Sequence, residues 1–136
     1  MKRVTASAGT ASVLTALAIT SCGVALAHHS FAPFEMEKDI TLEGTVLNYQ
    51  YGNPHSHILM KVTAHENTTY VGNWDVEGGS ANIMRRQGWT RNTYKEGDPI
   101  KVVGHPMRDG TKGLSLFYAI LPDGTRLYHD IARPKE

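Results

Sequence analysis

Ile40-Thr41-Leu42-Glu43-Gly44-Thr45-Val46-Leu47-Asn48-Tyr49-Gln50-Tyr51 is the stretch on which the fold turns. Ile40, Leu42 and Val46 share one parity, whereas Leu47, Tyr49 and Tyr51 share the other. Side chains alternate across a strand, so a change of parity inside one apolar run signals a bulge or a sharp bend. The change falls just after Gly44, a residue type that marks such places. The stretch therefore reads as a long, bent first strand, which Asn53-Pro54 brings to an end.

Downstream, His57 to Val62 puts Ile58, Met60 and Val62 on one face, and Tyr70 to Val76 alternates through Tyr70, Gly72, Trp74 and Val76. Both read as strands, with His65-Glu66-Asn67 as the hairpin tip between them. Gly78-Gly79 stops the third strand, and Ser80 is placed to cap a short helix over Ala81 to Gln87. Gly88 ends that helix, and Ile83 is its expected core residue, with Met84 or Gln87 beside it. Ile100 to His105 and Leu114 to Leu121 supply two further strands, and Thr125 to Tyr128 a short edge strand. The order β-β-β-α-β-β predicts a mainly β fold, a small five-stranded Greek-key barrel that is OB-like, with one short helix. A β-sandwich is the alternative.

Upstream of the barrel, residues 28–38 read as an irregular lead-in with Phe31 and Phe34 as anchors, since Pro33 argues against a helix. Residues 1–27 read as a signal peptide: Lys2 and Arg3 are followed by the apolar run Ala11 to Ile19 and by Ala25-Leu26-Ala27, a cleavage pattern of exported proteins. The run is too short for a membrane span of about 20 residues. The remainder, 39–136, is a single barrel domain. A second reading of the leader stands beside the first. Ile19-Thr20-Ser21-Cys22 fits the approach to a lipoprotein cysteine, which makes Cys22 a lipid anchor and the protein membrane-anchored rather than periplasmic or secreted.

The chain carries 14 Lys+Arg against 13 Asp+Glu, and loss of Lys2 and Arg3 with the leader takes the balance just below zero. Nucleic-acid binders usually present a basic excess, so nucleic acid is not an expected partner. Cys22 is the only cysteine. After cleavage at Ala27 a metal would have to be held by nitrogen, oxygen or thioether sulfur.

Seven histidines follow the leader: His28, His29, His55, His57, His65, His105 and His129. Cleavage after Ala27 makes His28 the first residue, with a free α-amine of pKa about 7.7–8 beside its own imidazole. One more imidazole completes a three-nitrogen set that suits Cu(II). His28, His29, His55 and His105 are the candidate metal ligands and copper the candidate cofactor. The opposing reading is a solvated terminus. His55 and His57, two apart, would point the same way on a strand, and His105 in Gly104-His105-Pro106 ends the fourth strand at a barrel rim. His65 and His129 are expected to be solvated. Met60, Met84, Trp74 and Trp89 read as core, and Asp75 and Glu77 as solvated carboxylates on one strand face. No nucleophile elbow, phosphate loop, Cys-x-x-Cys or haem-attachment motif is present.

His28-His29-Ser30-Phe31, Leu42-Glu43-Gly44-Thr45-Val46, Asn53-Pro54-His55-Ser56, Glu77-Gly78-Gly79-Ser80, Arg85-Arg86-Gln87-Gly88-Trp89 and Gly104-His105-Pro106, taken as a set, resemble a family of small exported bacterial proteins of unknown function. The resemblance implies a mature start at His28 and brings forward His28, His29, His55 and His105. His57 departs from it, since an aromatic or apolar residue is expected there.

Three readings follow. The first is an exported small binding protein that carries or buffers copper. The second is a metal-free OB-like module for an oligosaccharide, a peptide or an envelope protein partner. The third, a copper-dependent oxidase, has the first-residue histidine in its favour but little room for a substrate cleft, so the chain is read as a binder rather than an enzyme. The expected intact mass of the exported protein is that of residues 28–136; a mass beginning at a lipidated Cys22 selects the anchored form instead.

Overall fold

The computed structural model of the protein describes residues 32–130. The expected leader, with Cys22, and His28, His29 and Phe31 lie outside the described residues.

Six strands form one sheet that closes on itself. They are β1 (Ile40–Gln50), β2 (His57–Val62), β3 (Gly72–Glu77), β4 (Pro99–Pro106), β5 (Gly113–Ile120) and β6 (Arg126–Tyr128), with a 3-10 turn at Thr68–Tyr70 and the helix α1 (Ala81–Arg86) between β3 and β4. β1 pairs antiparallel with both β2 and β4, β2 with β3, and β4 with β5. A parallel pairing of β3 with β5 completes the ring β1-β2-β3-β5-β4. This is the OB-like five-stranded barrel with one short helix that the strand order implies. Among the described residues no helix is long and apolar enough to cross a membrane.

β1 serves two partners because it is long and bent. Its first half runs along β4, from Ile40 opposite Gly104 to Thr45 opposite Pro99. Its second half runs along β2, with a register shift between Val46 and Asn48. The bulge expected just after Gly44 thus sits at Leu47, and Gly44 has another task. A Cβ there would run into the backbone carbonyl of Lys61, so glycine lets β2 approach where β1 turns over. The bulge changes which parity faces inward, which is why Leu42 and Val46 are fully buried while Tyr49 and Tyr51 pack against the same core two and four residues past Leu47.

Ile58, Met60, Val62, Trp74, Val76, Val102, Leu114, Leu116 and Ala119 fill the barrel. Trp89 and Met84, fully buried, join this core beside Tyr94. Ser80 caps α1 as expected, accepting from Ile83 N–H. On this helix Met84 is buried, as expected of a core residue, while Ile83 is not, because a helix of little more than one turn directs only one side chain squarely at the core. The third strand begins at Gly72 rather than Tyr70, since Thr68–Tyr70 closes as a 3-10 turn with Asn67 as its cap. Tyr70 still packs edge-on against Trp74 and its carbonyl accepts the Trp74 indole N–H.

The lead-in is held to the barrel by backbone. Phe34 bridges to Met107, Glu35 N–H donates to Pro106 O at 2.8 Å, and Arg108 N–H to Pro33 O at 2.9 Å. Phe34 is buried, as expected of an anchor.

Tyr49, Trp89 and Tyr94 form an aromatic cluster, with Tyr49 and Tyr94 edge to face at 6.1 Å. The Tyr94 hydroxyl is buried and makes no hydrogen bond. Burial, with Asp98 adding to it, pushes its pKa up to about 12. A buried polar group without a partner costs roughly 1–3 kcal/mol. Tyr94→Phe keeps the ring and removes that cost, so urea unfolding is expected to show a variant more stable by about 1 kcal/mol; a loss of stability would refute the assignment.

Candidate functional site

Closure of the barrel creates one unusual place. β5 offers one full edge to β4, and its other edge is shared. Gly113 to Ser115 pair with β3, whereas Tyr118 to Ile120 pair with β6. β3 runs parallel to β5 and ends at Glu77, opposite Ser115. β6 runs antiparallel and ends at Tyr128, opposite Tyr118; the next residue, His129, donates its N–H to Phe117 O at 3.2 Å. The C-terminal ends of two strands therefore point at each other along one edge. Their stations, Ser115 and Phe117, lie about 7 Å apart at 3.3–3.4 Å per residue. Neither chain can continue straight, and both turn outward.

Between them lies a cleft of about 420 Å³ lined by Phe34, His55, Glu77, Ser115, His129 and Asp130, with Pro54, Gly78, Gly79, Ser80 and Ile83. Its walls are stitched by backbone. Ser56 N–H donates to Gly79 O, Gly78 N–H to Ser56 O, and Ala81 N–H to Gly52 O, all within 2.9 Å. The loop that carries His55 is thereby clamped to the loop after β3. Gly79 is required for the close approach of the tail, because a Cβ on it would sit 2.7 Å from His129 O. The Trp89 indole N–H donates to Tyr128 O at 2.8 Å and fixes the tail from the other side.

The His55 Nδ1 lies 2.8 Å from Glu77 Oε1 and 3.3 Å from Gly78 O. Both are acceptors only, so Nδ1 carries the proton and the lone pair of the neutral ring is on Nε2. This is the arrangement by which a carboxylate orients a metal-binding histidine. His57 Nδ1 is held the same way by Asp75 Oδ1 at 3.0 Å, and His105 Nδ1 by Asp39 Oδ1 at 3.0 Å and Lys38 O at 3.2 Å. Asp75 and Glu77, expected as solvated carboxylates, each hold a histidine while remaining partly exposed.

The histidines divide by location. His55 and His57, expected to point the same way, line different recesses: His55 the cleft, and His57 a shallow one with Asn48, Gln50, Leu59 and Asp75 on the outer face of β1, β2 and β3. His57 opens β2 in regular pairing, whereas His55 precedes it in the loop after the cis Asn53-Pro54 bond. His105 lies near the end of β4 as expected, one residue before Pro106, stacked on Phe117 at 6.0 Å, and does not line the cleft.

Two histidines expected to be solvated are not. His65 Nδ1 accepts from Asn67 N–H at 2.9 Å, its Nε2 lies 3.1 Å from Thr41 O, and its ring packs edge-on against Tyr70. It ties the β2–β3 connection to β1. His129 is half-buried in the cleft. Burial lowers its pKa first; nearby His105 lowers it further and Asp130 opposes. The signal for His129 was its place directly after the edge strand Thr125 to Tyr128, but sequence does not say which strand end faces it.

Among the described residues no three His, Cys, Asp or Glu side chains are placed to hold a metal ion. The geometry does yield a tautomer pattern. In long-range ¹H–¹⁵N spectra at pH 8 the rings of His55, His57 and His105 are expected to be protonated on Nδ1 and that of His65 on Nε2. Glu77→Ala should disturb the pattern at His55 alone; an unchanged His55 would show that the carboxylate does not set its tautomer.

A family model described as a family of unknown function, DUF6152, matches residues 16–115. No curated protein matches the chain. The matched segment takes in His28, His29, His55 and His105 and stops before His129.

Proposed function

We propose, for a chain that belongs to the DUF6152 family, that it is an exported binding protein that holds copper through the N-terminal histidine and imidazoles of the barrel. The observation that carries the reading is His55. It lines the cleft beside the β3–β5 closure, and Glu77 directs its lone pair to Nε2. Neutral imidazoles oriented in this way are ligands for Cu(II).

Export and cleavage after Ala27 supply the rest. They make His28 the first residue, so that its α-amine and ring chelate together. Ala32 is the first described residue, and its carbonyl accepts from Arg108 Nε. Four residues of chain span about 14 Å at most, and Phe34, two residues beyond Ala32, lines the cleft. The described part of the lead-in thus meets the cleft wall at Phe34. His29, beside His28, belongs to the same segment. His105 was the other candidate to complete the set; its Nδ1 is held by Asp39 outside the cleft.

The reading requires processed protein. One copper per chain is expected on metal analysis of exported protein whose mass confirms His28 as residue one. His55→Ala, or any residue left ahead of His28, is expected to weaken copper binding at least tenfold, about 1.4 kcal/mol. Processed protein that takes up no copper overturns it.

The cleft also keeps a metal-free reading in view. Its volume lies within the range of about 300–1,000 Å³ usual for small-ligand sites, and Phe34, Pro54 and Ile83 give it apolar walls. Trp89, bonded to Tyr128 O beside the cleft, is its reporter. An oligosaccharide or peptide that shifts Trp89 fluorescence equally with and without chelator would favour this second reading.

A further inference from the structure

We propose that the cleft binds a small organic ammonium ion, a primary amine on an apolar body, whose head is held by Glu77 and Ser115 where β3 closes on β5. The inference rests on the metal-free reading of the cleft and names the class of ligand that this reading leaves open.

The first observation is charge. Glu77 and Asp130 line the cleft, and among the described residues no lysine or arginine does. The Nδ1 proton of His55 is directed at Glu77 and Gly78 O, so its Nε2 is an acceptor. Burial holds His129 towards its neutral form. The cleft is therefore negative and rich in acceptors, and low-dielectric walls focus such a field. A ligand that answers it brings positive charge and N–H donors, whereas an anion is repelled.

The second observation is Ser115. Leu114 and Leu116, on either side of it, are buried inside the barrel, so Ser115 points to the outer face, where it lines the cleft. It is only 4% exposed, yet its hydroxyl has no hydrogen bond to any described residue. A hydroxyl so buried is normally paired. Its partner in register is Glu77, which lies on the same outer face because Val76 before it is buried inside. Adjacent strands lie about 4.8 Å apart, so a carboxylate and an unpaired hydroxyl flank one position at the closure. Glu77 gives one oxygen to His55, and an ionised carboxylate accepts up to about four hydrogen bonds, so capacity remains for an ammonium.

The third observation is the rest of the wall. Phe34, Pro54 and Ile83 are apolar. They favour a ligand with an apolar body over a bare ammonium or a polyamine. The volume of about 420 Å³ suits a ring on a short chain.

The test uses exported, processed protein in excess chelator, so that no metal contributes. Phenethylamine is the probe. Phenylethanol has the same body without charge, and phenylpropionate has the opposite charge. Binding is read by calorimetry and by the amide ¹H–¹⁵N shifts of Gly78, Gly79 and Ser115. Phenethylamine is expected to bind at least tenfold more tightly than phenylethanol, and phenylpropionate not at all. The amine should weaken several-fold as NaCl is raised from about 50 to about 500 mM. Glu77→Gln keeps the shape and removes the charge; it is expected to lose at least tenfold in affinity for the amine and to leave phenylethanol unchanged. Ser115→Ala is expected to lose a few-fold. Should Glu77→Gln fail to fold, the comparison of the three compounds on wild type decides by itself. Equal binding of amine and alcohol, or a preference for the carboxylate, overturns this inference and leaves the metal-free reading standing. An amine that does not bind also overturns it, and the metal-free reading falls as well only if oligosaccharides and peptides leave Trp89 fluorescence unmoved. A Phe-Gly-Gly tripeptide that binds more tightly than phenethylamine overturns the assignment to a small free amine in favour of a peptide N-terminus.

Discussion

The shortest pairing in the ring governs the rest of the molecule. β3 and β5 run parallel over only three residue pairs, Asp75 with Gly113 to Glu77 with Ser115. That contact turns an open sheet into a barrel and removes two exposed edges, which a sheet otherwise has to protect. Because it is short, it leaves the second half of the same β5 edge unfilled, and β6 takes it. The two strands arrive from opposite directions and end opposite Ser115 and Tyr118 of β5. The cleft follows from this geometry, and so does the need for Gly79 where the loop after β3 meets the tail after β6.

A second regularity is chemical. Carboxylates hold Nδ1 of three histidines: Asp39 for His105, Asp75 for His57 and Glu77 for His55. Such pairs at partly exposed positions contribute little to stability. Their effect is on the ring, which they fix in one orientation and one tautomer. The same device therefore serves different ends. On His105 it fastens the lead-in to β4, and on His55 it presents Nε2 beside a cleft.

Much of the barrel was legible in the chain. Strand alternation, the Pro and Gly stops and the Ser80 cap are local signals, and they gave the strand order and the helix. The parity change in Ile40 to Tyr51 announces a bulge, and the structure sets it at Leu47, three residues past Gly44. Gly44 reads as the mark of a bulge or bend, whereas its role is to admit the Lys61 carbonyl. Ile83 and Met84 show the same limit. Both fit a short amphipathic helix, and only the direction in which α1 meets the barrel separates them.

The sequence by itself determined which elements form and in what order, because alternation, caps and turns act over a few residues. It also determined that residues 28–136 contain imidazoles and no thiol. Only the tertiary structure decided how the histidines divide. Asp39 and His105, or Glu77 and His55, meet through pairings between distant segments, and periodicity specifies a side chain's parity without its opposite number. His129 makes the point most sharply. In the chain it is one residue past a short edge strand; in the fold it stands in the cleft, because β5 had half an edge to spare.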